Sequence, residues 1–141
     1  MYEVIILEGD IASTHYTGDA GRDLFAQISK PIVLSPTNRH VLIGTGLRIK
    51  MHHQIYAIVQ PRSGLSKKQV KCDTGIIDSD YTGEIMVSIY YLGDGEFVIN
   101  PGDRIAQLIF LPKIQVAFVT GREYISSDFE RGSKGFGSTG Q

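Results

Sequence analysis

The chain has 141 residues, 14 basic and 15 acidic, and 42% of them are hydrophobic, which suits one globular domain with a real core. The balanced charge gives no broad basic face for stable nucleic-acid binding, and a lone cysteine, Cys72, excludes a disulfide within one chain. The N-terminus MYEVIILEGD is not a signal peptide, and no apolar run approaches the ~18 residues of a membrane span. The expectation is an intracellular protein of cytoplasm or nucleus, neither secreted nor membrane-bound.

Apolar residues recur at period two far more than at period 3.6, which predicts strands. In chain order these cover Glu3–Leu7, Asp23–Ala26, Ile32–Leu34, Arg39–Ile43, Gly46–Met51, Tyr56–Gln60, Ile85–Tyr91, Phe97–Ile99, Ile105–Leu111 and Gln115–Phe118. Turn-rich breaks, TGDAG, SPTNR, LGDGE and NPGDR, separate them. Many short strands imply an all-β sandwich or barrel, with a helical turn or two at Gly64–Val70. No internal repeat or linker divides residues 1–130. The Gly-rich end, RGSKGFGSTGQ at 131–141, is a separate segment. It reads either as a frayed terminus or as a flap, with Gly residues forming an anion nest, Arg131 a cationic fork and Phe136 a lid over a flat ring.

Four other stretches carry chemistry. In AGRDLFA, Asp23 reads as a turn carboxylate. In PRSGLSKK, Pro61 ends a strand, and Arg62, Ser63 and the backbone near Gly64 face either solvent or an anion. The P-loop spacing is missing. TGIIDSDYTGEIMV reads as a hairpin, with Ile76 and Ile77 on one arm, an acidic turn at Asp78–Gly83, and Glu84–Val87 on the other. Asp78 or Asp80 can orient and deprotonate a water, and the Tyr81 ring can meet a sugar. In NPGDRIAQLIF, Gln107 is the polar exception in an apolar run, bonded either to its neighbours or to a ligand. The four histidines, His15, His40, His52 and His53, have no metal-ligand spacing, so no zinc site is expected. Cys72 reads as a packed residue rather than a nucleophile.

AGRDL, PRSGL, GIIDSDYTGE, PGDRIAQLI and RGSKGFGSTG, in that order, resemble the five motifs of the trimeric deoxyuridine triphosphatases, or dUTPases, across residues 20–140. The resemblance implies a jelly-roll homotrimer whose three active sites draw on all three chains. It implies hydrolysis of dUTP to dUMP and pyrophosphate with Mg²⁺, which keeps uracil out of DNA and supplies dUMP for thymidylate synthesis. By position, Asp78 is then the base for the attacking water, and Tyr81 the ring that bars a 2′-hydroxyl. Gly75, Ile76, Ile77 and Asp78, with Met86 across from them, form the uracil pocket. Arg62, Ser63, Gly64 and Gln107 contact phosphate, and Asp23 holds the metal through water. In the tail, Arg131 reaches the phosphates, Phe136 covers the base, and Gly137, Ser138 and Thr139 donate to phosphate. Arg22, Ser66 and Lys134 depart from the usual pattern without removing a group that the reaction needs, whereas Cys72 stands where some relatives have Asn, which puts in question any side-chain contact to the nucleotide there. A deaminase of similar fold, acting on dCTP, and a non-catalytic signalling or assembly module are the rival expectations.

Overall fold

A computed structural model describes residues 1–14 and 16–121. The strands are β1 Val4–Glu8, β2 Gly21–Phe25, β3 Ile32–Leu34, β4 His40–Met51, β5 Ile55–Gln60, β6 Val70–Cys72, β7 Gly75–Ile77, β8 Glu84–Tyr91, β9 Phe97–Ile99 and β10 Arg104–Pro112. A single turn of helix, α1 at Ser63–Ser66, lies between β5 and β6. Two four-stranded antiparallel sheets run β1-β4-β8-β6 and β2-β10-β5-β7, and β3 pairs with β9. This is the expected all-β, jelly-roll-like architecture with one short helix.

Alternation explains how the sheets face each other. On β8, Ile85, Val87, Ile89 and Tyr91 are buried, while Glu84, Met86 and Tyr90 point out. On β5, Ile55, Ala57 and Val59 are buried; on β10, Ala106 and Leu108 are, with Ile105 buried as well where the register against β2 shifts. Successive side chains leave a strand on opposite faces, so one face of each sheet supplies the common core.

Four expectations need correction. The two predicted strands at Arg39–Ile43 and Gly46–Met51 form one strand, β4. Gly44 pairs with Met86 and Arg48 with Glu84, so β4 accommodates extra residues in a bulge rather than breaking. Gly46 sits there at φ 68°, where a side chain would be strained, and its N–H donates to Glu84 Oε1 at 2.8 Å. Helix α1 is shorter than Gly64–Val70, because the chain turns at Gln69, φ 59°. Gln115–Phe118 alternates but forms no strand, and Val116 and Phe118 are exposed. Alternation describes a sheet face, and among the described residues neither a neighbouring strand nor a core takes it up.

The fourth correction concerns the hairpin. β6 pairs with β8 over Val70–Cys72 and Ile89–Tyr91, and Asp73 N donates to Ser88 O at 3.1 Å. Continued in the same register, Gly75 would face Met86. Instead β7 joins the other sheet, with Gly75 opposite Val59 and Ile77 opposite Ala57, while Met86 pairs with Gly44. The hairpin therefore opens at its turn end, its arms shared between two sheets. Divergence lets Ile77 and Ile85 both face the core, where their relative exposures are 9% and 0%.

Candidate active site

Asp23 is not in a turn. It lies mid-strand on β2, opposite Gln107 of β10, which in turn lies opposite Gln60 of β5. Three neighbouring strands thus set Asp23, Gln107 and the start of PRSGL at one level. Pro61 then ends β5, and Arg62 becomes the N-cap of α1 in extended conformation, φ −97° and ψ 136°. That conformation sends the chain along the sheet end, beside Asp23. Arg62 Nε lies 2.9 Å from Asp23 Oδ1, and Arg104 Nε lies 3.5 Å from Asp23 Oδ2. The Asp23 carboxylate is only 14% exposed, so this bridge is shielded from full solvent screening.

Gln107 Nε2 donates to Pro61 O at 3.0 Å, which ties β10 to the PRSGL turn. Gly21 makes room for this amide: a Cβ there would overlap Gln107 Oε1. Asp23, Arg62, Ser63, Gly64, Arg104 and Gln107 border a cavity of about 390 Å³, which Asp19, Ser13 and Thr14 also line. Two guanidinium groups and two carboxylates around one opening can receive an anion that carries its own cation. Ser63 and Gly64 are exposed, and nothing lies within 4 Å of a Cβ built on Gly64, so its backbone is open to approach. Arg104 was not among the residues anticipated. Its signal was present in PGDR, where a basic residue opens a strand just across from the Asp23 motif.

Asp78 stands apart from this group. It follows β7 and lines a second cavity, of about 610 Å³, with His53, Tyr56, Ser79, Asp80 and Lys113. Its carbonyl accepts from Tyr81 N at 3.0 Å, which folds the acidic turn. Tyr81 Oη donates to Glu84 O at 2.8 Å, fixing the phenol against Gly83, where a Cβ would overlap the ring. Arg48 Nε donates to Thr82 O at 2.9 Å, holding the far side of the same connection. Ile76, Tyr81 and Met86 are exposed at 69%, 43% and 38%, an apolar group around the mouth of the opened hairpin. Among the described residues no strand pairs with β8 beside Met86 on the hairpin side, so main-chain groups are available there to a planar ligand with donors and acceptors.

Cys72 is half-buried, and its Sγ donates to Asp73 O at 3.2 Å. Burial, and then the Asp73 charge, push its thiol up to about 11. It is thus a protonated packing residue, not a nucleophile. Arg131, Phe136, Gly137, Ser138 and Thr139 lie outside the described residues. Among those described, no cluster of three His, Cys, Asp or Glu side chains has metal-binding geometry.

A family model described as dUTPase matches residues 8–140. The chain belongs to the dUTPase family. It is 46% identical over 129 residues to the deoxyuridine 5′-triphosphate nucleotidohydrolase of Herminiimonas arsenicoxydans, covering 89% of this chain and 85% of that one. With the protein of the same name from Acinetobacter baylyi it shares 41% identity over 138 residues, 95% of this chain and 90% of the other. Among solved structures, a point mutant of the dUTPase of Staphylococcus bacteriophage 80alpha, with dUpNHpp, aligns at a TM-score of 0.79 and 26% identity. That alignment covers 100% of this chain and 99% of the phage chain. The phage phi11 dUTPase, described with a structural Mg(II) ion, shares the fold at a TM-score of 0.75 and 22% identity, over 88% of this chain and 98% of that one.

Proposed function

We infer that this dUTPase-family chain hydrolyses dUTP to dUMP and pyrophosphate, in a site completed between copies of the chain. The activity limits uracil in DNA and yields dUMP. The observation that carries the proposal is the pairing of two unlike half-sites. One is the phosphate-type cluster of Asp23, Arg62, Arg104 and Gln107; the other is the Asp78 turn with its opened hairpin.

In one chain these halves are far apart. Asp23 is on edge strand β2 and Asp78 follows the opposite edge strand, β7. That is about 14 Å across the sheet, from three interstrand steps of about 4.8 Å, and about 13 Å further along it. A base must lie within hydrogen-bond reach of its water. Asp78 of one copy and Arg62 of another satisfy that requirement in a closed symmetric assembly, and a homotrimer is the assembly proposed.

In that site the backbone of Gly75, Ile76 and Ile77, with Met86 opposite, reads the edge of uracil, and polar reading discriminates strongly because a mismatched base leaves buried groups unpaired. The Tyr81 ring packs on the deoxyribose and excludes a 2′-hydroxyl. Asp78 accepts a proton from the water that attacks the α-phosphorus, and pyrophosphate leaves. Arg62, Ser63, Gly64 and Gln107 hold the phosphates. Arg131 supplies further positive charge, Phe136 covers the base, and Gly137, Ser138 and Thr139 donate to phosphate oxygens.

The residues fit Mg²⁺ in one particular way. Asp23 is already engaged by Arg62 and Arg104, so it suits a water-mediated contact to a metal carried by the substrate phosphates. When bound, Mg²⁺ neutralises charge on the phosphate oxygens. The test is turnover of the purified chain with dUTP, dCTP, dTTP and UTP. Pyrophosphate release from dUTP is expected; ammonia release from dCTP, or no turnover of any of the four, contradicts it.

A further inference from the structure

We propose that Lys113 is a positioning residue for the Asp78 turn, acting through Ser79. The proposal rests on the assignment of Asp78 as base. Lys113 is the first residue beyond β10. Its backbone N–H donates to Gln54 O at 2.7 Å, which anchors it beside the turn that opens β5. Its ammonium donates to Ser79 Oγ at 3.3 Å, and it lines the cavity that holds Asp78 and Asp80.

The connection from Ile77 to Glu84 leaves one sheet and enters the other, so its middle has no ladder to hold it. Its far half is fixed by Arg48 at Thr82 and by Tyr81 at Glu84. Its near half, which carries Asp78, is held by β7 at Ile77, by Tyr81 N–H at Asp78 O and by Lys113 at Ser79, the last being, among the described residues, the one side-chain hold on it from outside the connection. His53, Tyr56, Ser79, Asp80 and Lys113 line this cavity together with Asp78, and Lys113 is the residue among them that reaches from the end of β10 to the turn. Lys113 is anchored by its own backbone at Gln54, so its ammonium holds the turn through the Ser79 hydroxyl. Its role is geometric: small displacements of a reacting group lower kcat while leaving substrate binding largely intact.

The experiment is steady-state kinetics with dUTP and Mg²⁺ on the full chain as Lys113→Met, Lys113→Arg, Ser79→Ala and the Lys113→Met/Ser79→Ala double variant, with melting curves alongside. Lys113→Met is expected to lower kcat roughly three- to tenfold with KM within about twofold, since the base is misplaced and not lost. Lys113→Arg should recover at least about half of the lost kcat, because it keeps charge and reach. The double variant should be no worse than the poorer single one, because both break one contact. Unchanged kcat in Lys113→Met, or losses that multiply in the double variant, overturns the proposal while leaving the dUTP assignment intact. A wild-type chain that does not hydrolyse dUTP overturns both.

Discussion

The Gln107 amide lies against the bare Cα of Gly21, and a Cβ there would overlap its Oε1. Gly21 thus does at the edge of the phosphate-type cavity what no larger residue can: it lets Gln107 turn toward Pro61 O. Gly21→Ala should move the flexible amide end rather than the backbone. The expected outcome is a small fall in melting temperature, because the clash is with the end of a flexible side chain and costs about one hydrogen bond, ~1 kcal/mol, with kcat/KM for dUTP reduced several-fold. Thermal melting and kinetics on the same preparation check it.

Asp78→Asn keeps the shape of the turn and its carbonyl bond to Tyr81 N but removes the proton acceptor. Turnover should fall by ~10²–10⁴, while a non-hydrolysable dUTP analogue still binds. Single-turnover rates and analogue titration check the two halves of this prediction.

Tyr81 separates ring from hydroxyl. Its Oη donates to Glu84 O, and its half-exposed ring borders the hairpin mouth. Tyr81→Ala should make UTP a measurable substrate, whereas Tyr81→Phe should retain the preference for deoxyribose with a modest loss of stability, ~1 kcal/mol for one hydrogen bond. The ratio of kcat/KM for dUTP and UTP in the two variants is the measurement.

Removing residues 131–141 should lower kcat at least ~10²-fold, through loss of the Arg131 cation and a water-excluding cover. Among the described residues the buried core ends at Leu108, well before this segment, so melting should be little changed. Phe136→Ala alone should weaken nucleotide binding by about 1–3 kcal/mol, the value of stacking on one base.

Cys72 gives a pH-dependent expectation. Its folded-state thiol is raised from 9.0 to about 11, so the folded chain holds a proton that the unfolded chain releases between those values. The contribution is present below about pH 9 and is lost as pH rises toward 11. Melting of Cys72→Ser against wild type between pH 8 and 10.5 should show the wild type losing stability faster.

How much of this was legible in the sequence depends on which force fixed each element. β3 and β9 matched their expected bounds, and β2, β5, β8 and β10 were found within two residues, because burial on one face writes a period of two into the sequence. The bulge in β4 was misread as a break because Gly46 signals a special φ, which serves a turn and a bulge equally well. The opened hairpin was missed for a different reason. The apolar pair Ile76 and Ile77 marks a strand-like arm but not which sheet it joins. Asp23 opens an expected strand just after a turn-rich stretch and so reads as a turn carboxylate; its place beside Arg62 follows from pairing with β10, which is non-local. The basic residue in PGDR marks Arg104 but not its partner Asp23, and Lys113 has no signal of its own, since the role of each comes from what the strand ends bring alongside it.

The central claim is that Asp78 and Arg62 act together only across copies of the chain. Asp78→Asn and Arg62→Ala chains, each inactive alone, should be co-expressed and assayed for dUTP hydrolysis as the mixed assembly. Random closed assembly should restore about a quarter of wild-type turnover, since a site needs the intact Asp78 of one copy and the intact Arg62 of its neighbour. A mixed assembly as inactive as its two components would contradict the account.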